Sequence, residues 1–147
     1  MKKTIRQVSK RKLSHFIIIG TIAGAIIFLF AFTPMQQSEE WIAPATANVM
    51  KNPFASSEQS IAAGKIIYTK SCYDCHGKKG KGDGPKSGDL DKNPKDFTKA
   101  IFQKQTDGSI FWKITEGRKP MPTFKKDLTD EERWKVINYV RTLEIKK

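Results

Sequence analysis

Both cysteines of the chain fall within five residues, Cys72-Tyr73-Asp74-Cys75-His76, and this C-x-x-C-H pattern constrains the fold more than any other feature. Two cysteines at this spacing lie on one turn of helix, where each can add a thioether to a vinyl group of one haem. The histidine that follows is carried under the porphyrin, where its imidazole can bind iron. A chain built this way folds around a covalent cofactor, one haem c, with His76 as an iron ligand. Dithiol or disulfide chemistry at Cys72 and Cys75 is the competing reading, but a thioredoxin-like pair calls for a βαβ context, and none is visible. A structural zinc site needs about four Cys or His ligands. Outside the motif the chain offers only His15.

The N-terminus has a separate character. Met1 to Lys12 holds six basic residues and no acid, and Phe16 to Phe32 then runs 17 residues with only Thr21 polar. As a helix that run is about 26 Å long, close to the hydrocarbon thickness of a bilayer. A cleaved signal peptide usually has a shorter apolar region with small residues close behind. Here Pro34 spoils Ala31-Phe32-Thr33 as a cleavage site, and Ala45-Thr46-Ala47 lies far downstream. The expectation is an uncleaved single anchor, with the basic leader cytoplasmic and the rest of the chain on the extracytoplasmic side of a bacterial membrane. Covalent haem is attached on that same side, so two independent features agree. His15 falls at the membrane edge and is read as interfacial, with no ligand role.

The expected organisation is therefore a basic leader over 1–15, a transmembrane anchor over 16–33, a flexible tether over 34–57 and one domain over 58–147. Pro34, Pro44 and Pro53 with Ala, Ser, Gln and Asn mark the tether. Two readings of Trp41 stand, as an anchor at the lipid headgroups or as a side chain packed on the domain.

Within the domain, Ser56 or Ser57 starts a helix, with Ser56 and Gln59 as a capping box. Gly64 inside it marks either a tolerated glycine or the close approach of another helix. Gly77 to Gly88 is a loop rich in Gly, Lys and Asp, and Asn93 to Phe97 is a turn around Pro94. Thr106 or Asp107 caps a helix carrying Ile110, Phe111 and Ile114, with Gly117 as its stop. Thr129 with Glu132 forms a capping box for a last helix whose apolar stripe is Trp134, Ile137, Val140 (or the stem of Arg141) and Leu143. No strand is convincing, so the class is all-α, a small haem-wrapping helical domain preceded by one transmembrane helix. Its loops are long for its size, and wrapping a cofactor would account for them.

A second axial ligand would decide the chemistry of the iron. Met121 is the candidate, 45 residues after His76 in Gly117-Arg118-Lys119-Pro120-Met121-Pro122-Thr123-Phe124. Prolines on both sides fix the backbone, which suits a loop that must hold a thioether still. Met1 is at the cytoplasmic end, and Met35 and Met50 lie in the tether. The alternative is that Met121 fills a gap in the core.

Over most of residues 50–145 the chain resembles the membrane-anchored class I cytochromes c of bacteria. The resemblance rests on an ordered set: Gly64-x-x-x-Tyr68, Cys72-x-x-Cys75-His76-Gly77, Gly82-Asp83-Gly84-Pro85, Met121-Pro122-x-Phe124, and Leu128-Thr129-Asp130-Glu131-Glu132 leading to Trp134 and Tyr139. It implies that Gly64 and Tyr68 meet the last helix near Trp134 and Tyr139. It further implies that the Pro85 carbonyl accepts the His76 N–H and that Met121 is the distal ligand. Trp112, Arg118 and Phe124 are candidate pocket residues, Arg118 near a propionate, although Trp112 and Phe124 serve equally as ordinary core.

Six of the 27 basic residues lie in the leader, which leaves 21 against 15 acids, a net of +6 for the remainder. Two haem propionates would lower it to about +4. Lys78, Lys79, Lys81 and Lys86 follow the motif, and Lys119, Lys125 and Lys126 surround Met121. They form either a docking face for acidic electron donors and acceptors or an ordinary solvated surface. Nucleic acid is a poor partner for an extracytoplasmic domain. The expected role is a one-electron carrier between membrane respiratory complexes, and not an enzyme. The alternatives are a haem enzyme or gas sensor with an open or displaceable distal position, and a haem subunit of a larger oxidase or reductase.

Overall fold

The computed structural model describes residues 40–145. The expected leader (1–15), anchor (16–33) and His15 lie outside the described residues. Six α-helices are present among the described residues: α1 (Ala45–Asn48), α2 (Glu58–Ser71), α3 (Tyr73–His76), α4 (Ala100–Gln103), α5 (Asp107–Glu116) and α6 (Asp130–Arg141), with a short 3-10 turn at Ser87–Asp89. No strand forms among the described residues; an isolated bridge pairs Arg118 with Met121. No helix among the described residues is long and apolar enough to cross a membrane.

Helix α2 starts at Ser57 rather than at a Ser56–Gln59 capping box. The Ser57 side chain accepts the Ser60 N–H at 3.2 Å, and this register turns Ser60 inward, where its hydroxyl accepts a hydrogen bond from Asn138 at 2.8 Å. Thr106 caps α5 by accepting from Ser109, and Gly117 ends it at φ +66°. Both halves of the capping box of α6 are made, Glu132 N–H to Thr129 Oγ1 and Thr129 N–H to Glu132 Oε2. The four-residue α4 has no side-chain cap at Lys99 and left no signal in the sequence.

Helices α2 and α6 pack together at Gly64. A Cβ built there would sit 2.0 Å from the Lys135 carbonyl oxygen and 3.1 Å from Tyr139 Cβ. The glycine therefore marks close approach, not mere tolerance, because only a missing side chain lets the two backbones touch. One turn on, Tyr68 is 2% exposed and its ring lies 5.0 Å from that of Tyr139. The core continues through Phe102, Ile110, Phe111, Ile114, Trp134, Val136, Ile137 and Val140. Phe111 of α5 stacks on Trp134 of α6 at 4.1 Å.

The expected tether is shorter than its sequence suggests. Residues from Trp41 onward belong to one compact unit, Trp41–Lys147, and 41–55 form a strap across the helices. Ala43 and Ala47 are buried, and a Cβ at Gly108 would strike the Ala47 carbonyl at 2.0 Å. Asn52 donates to Asn138 Oδ1 at 2.8 Å, while Asn138 donates to the carbonyls of Phe54 and Ala55. Small side chains and paired amides dock the strap, features that a composition of Pro, Ala and Asn does not distinguish from a linker.

Substituting Gly64→Ala should cost about 1–3 kcal/mol, since Lys135 backbone rather than a flexible side chain must move. Gly88 has nothing within 4 Å of its missing Cβ, so Gly88→Ala should be close to neutral. Denaturant midpoints of the two haem-loaded variants check this; equal midpoints would mean that the helix crossing has slack.

Candidate functional site

The C-x-x-C-H motif occupies the join between α2 and α3. Cys72 ends α2 with its N–H on the Tyr68 carbonyl at 2.8 Å, and its own carbonyl accepts from His76 at 2.9 Å. A short turn of this kind leaves orphan carbonyls at its C-terminal end. The glycine-rich loop supplies their donors: Gly82 N–H to His76 O at 3.0 Å, Gly84 N–H to Cys75 O at 3.2 Å, and Lys86 N–H to Asp74 O at 2.8 Å. Gly77, Gly80 and Gly82 all have positive φ. Gly84 is packed so tightly that a Cβ would lie 2.3 Å from the Asp74 carbonyl. The loop is thus a backbone clasp over the motif, and the Lys86–Asp74 ion pair at 2.7 Å fastens its outer edge.

Tyr68 joins this turn to the helix crossing. Its hydroxyl donates to the Gly77 carbonyl, the residue after His76, at 2.7 Å. Burial, with smaller contributions from Cys72, Tyr139 and Asp83, raises its pKa, so the phenol keeps its proton as a donor.

Both cysteines are free thiols and partly buried. Burial pushes the Cys72 thiol up to about 12, with a further contribution from Cys75. Its pocket disfavours thiolate and suits an uncharged thioether. His76 stacks on Phe97 with ring centroids 4.3 Å apart. Burial lowers its pKa to about 4, partly offset by a backbone carbonyl. The imidazole is therefore neutral at physiological pH, the form that binds metal. That carbonyl is Lys95's, a long contact of 3.4 Å to Nδ1. The expected partner, the Pro85 carbonyl, does not make this contact, because the loop around Pro85 is folded onto the backbone of Tyr73 and Asp74 instead.

Met121 sits in a four-residue turn closed by two hydrogen bonds, Arg118 N–H to Met121 O at 3.0 Å and Met121 N–H to Arg118 O at 2.9 Å. Gly117 enters the turn at φ +66°, where a Cβ would meet Pro122 at 2.5 Å. Past the turn, the Thr123 hydroxyl donates to Thr115 O at 2.6 Å and Phe124 N–H to Ile114 O at 3.1 Å, both on α5. Arg133, 4% exposed, reaches from α6 to the carbonyls of Phe124, Lys125 and Leu128. Met121, Phe124, Cys72 and Tyr73 all pack against the same core cluster. Trp112 and Arg118 meet Trp41 of the strap, which settles Trp41 onto the domain. Of the flanking lysines, Lys86 and Lys125 are engaged with Asp74 and Glu116.

The residues present fit a covalently held haem: two free thiols on one turn, Cys72 packed on the apolar core, and a neutral imidazole beside them. Among the described residues no group of three His, Cys, Asp or Glu is gathered to hold a bare metal ion. Phe97 and the Lys95 carbonyl, which orient His76, have no signature in the sequence. The turn around Pro94 predicts a loop there, but no spacing ties residue 97 to 76.

Known proteins give the arrangement a family. The model for "Cytochrome C oxidase, cbb3-type, subunit III" matches residues 59–140. A chain of the Kuenenia stuttgartiensis reducing HAO-like protein complex Kustc0457/Kustc0458 is 36% identical, with a TM-score of 0.58, over 63% of this chain and 47% of that one. This chain thus spans about half the length of that relative. The KustC0563 c-type cytochrome is 31% identical over 56% of this chain and 98% of its own length, with a TM-score of 0.48. No curated protein matches the chain.

With haem attached in a host able to mature such centres, Cys72→Ser and Cys75→Ser should each retain colour on a denaturing gel through the remaining thioether, and the double variant should lose it. Colour retained by the double variant would show that these thiols are not the attachment points.

Proposed function

The chain belongs to the family of the cytochrome c oxidase, cbb3-type, subunit III, and is a mono-haem c-type cytochrome; from that premise we propose a one-electron carrier in which His76 and Met121 are the two axial ligands. The observation that carries this reading is the Met121 turn, closed on Arg118 by two hydrogen bonds and packed on the same core as Cys72. When bound, the haem supplies the iron that gains and loses the electron.

The protein's part is to hold two donors still. His76 offers a neutral nitrogen, with its ring fixed against Phe97 and Nδ1 toward the Lys95 carbonyl. The Met121 thioether carries no ionisable proton, so its donor character does not change with pH. A thioether opposite an imidazole raises the haem potential, which suits the oxidising end of a respiratory chain. Both donors sit on segments tied to helices, so little need rearrange between redox states. The glycine clasp orients the motif, and Pro85 contributes to that loop.

In this reading residues 16–33 anchor the chain in the bacterial cytoplasmic membrane, with leader 1–15 inside and the haem domain outside. Anchoring raises the effective concentration of the carrier beside its partners without any new contact. Exposed Lys78, Lys79, Lys81, Lys119 and Lys126 present positive charge to acidic donors and acceptors, an effect that weakens with salt. A second reading, a haem subunit of a larger redox assembly, is favoured by the similarity to a chain from a multi-protein complex.

Oxidised native protein should show the weak far-red charge-transfer band of methionine–iron coordination. Met121→Ala should abolish the band, lower the potential and let the reduced form bind carbon monoxide. A native protein that lacks the band and takes up carbon monoxide freely would overturn the His/Met carrier. Mild detergent extraction separates the second reading: co-purification of the haem with other subunits in fixed ratio favours the assembly.

A further inference from the structure

The strap lies upstream of the family-matched segment, residues 59–140, yet it reaches the turn that carries Met121. Trp41 packs edge-on against Trp112 of α5, with ring centroids 6.3 Å apart at 61°. The guanidinium carbon of Arg118 stands 5.1 Å from the Trp41 ring centroid, and Lys113 Nζ stands 5.9 Å from it. Indole is the aromatic ring that attracts cations most strongly at such distances. Arg118 is the residue whose N–H and carbonyl both close on Met121. A strap side chain therefore rests on the first residue of the Met121 turn.

Trp41 is not carried by a loose arm. Ala43 and Ala47 are buried behind it, and Asn52 donates to Asn138 of α6. Downstream, the turn is held by Thr123 to Thr115 and Phe124 to Ile114. At its upstream end, Gly117 supplies no side chain, and Arg118 provides the first one able to be gripped.

We propose that Trp41 is a positioning residue for iron ligation: by stacking on Arg118 it keeps the 118–121 turn closed and Met121 at the iron. The inference rests on the His/Met reading above. It also makes the segment that joins the domain to the rest of the chain a determinant of how readily the distal position opens.

The test uses the full-length, haem-loaded protein and the rate at which added imidazole displaces methionine in the oxidised state, followed by loss of the far-red band. Trp41→Ala and Trp41→Leu, the latter keeping apolar bulk without a π face, should each accelerate displacement about tenfold. Asn52→Ala loosens the strap at its other end and should lower the denaturant midpoint while leaving the displacement rate unchanged. If Trp41→Ala does not fold, Trp41→Leu alone decides. Native-like rates in the Trp41 variants, or equal acceleration in Asn52→Ala, would overturn the proposal while leaving Met121 as ligand. Absence of the band in native protein would instead remove the His/Met reading, and this inference with it.

Discussion

Backbone meets backbone where Gly64 faces the carbonyl of Lys135, and the rest of the domain is arranged around that contact. With no side chain between the helices, Tyr68 one turn away is fully enclosed, and an enclosed phenol must find an acceptor. It finds the Gly77 carbonyl, directly after the histidine of the motif. One hydrogen bond thus carries the geometry of the helix pair into the attachment turn. The raised pKa of Tyr68 keeps it a donor throughout the physiological range.

The two candidate iron ligands are held by different means. His76 is positioned by aromatic packing and a carbonyl from the loop before α4, with the clasp fixing the turn beneath it. Met121 depends on backbone hydrogen bonds to α5 and on the buried Arg133 of α6, which gathers the carbonyls of Phe124, Lys125 and Leu128. A buried guanidinium bonded to several carbonyls fixes a loop more rigidly than apolar packing alone, because each carbonyl would be costly to leave unpaired. Both devices converge on one core, shared by Cys72 and Met121.

Much of this was legible in the sequence. The motif, the caps at Thr106 and Thr129, the stop at Gly117 and the glycine loop are local signals, and each stands where its chemistry requires. Gly64 was ambiguous because a glycine reports nothing of its neighbour until the partner helix is placed. The strap has the composition of a linker because its docking uses buried alanines and an Asn52–Asn138 pair 86 residues apart, a relation no local pattern encodes. The same holds for Phe97 against His76, and for the acceptor at Nδ1, where Lys95 stands in place of Pro85. Helix α4 has no sequence signature, because four residues are too few to show a periodicity.

The glycine clasp has a further consequence. Its grip on the motif is made by backbone amides and by dihedral angles that glycine alone adopts easily, while the interleaved Lys78, Lys79 and Lys81 point to water. Shape and charge are thereby written in alternate letters of the same stretch. Substitution at the lysines can retune which surfaces the domain meets, across a wide range, without disturbing the scaffold that seats the iron.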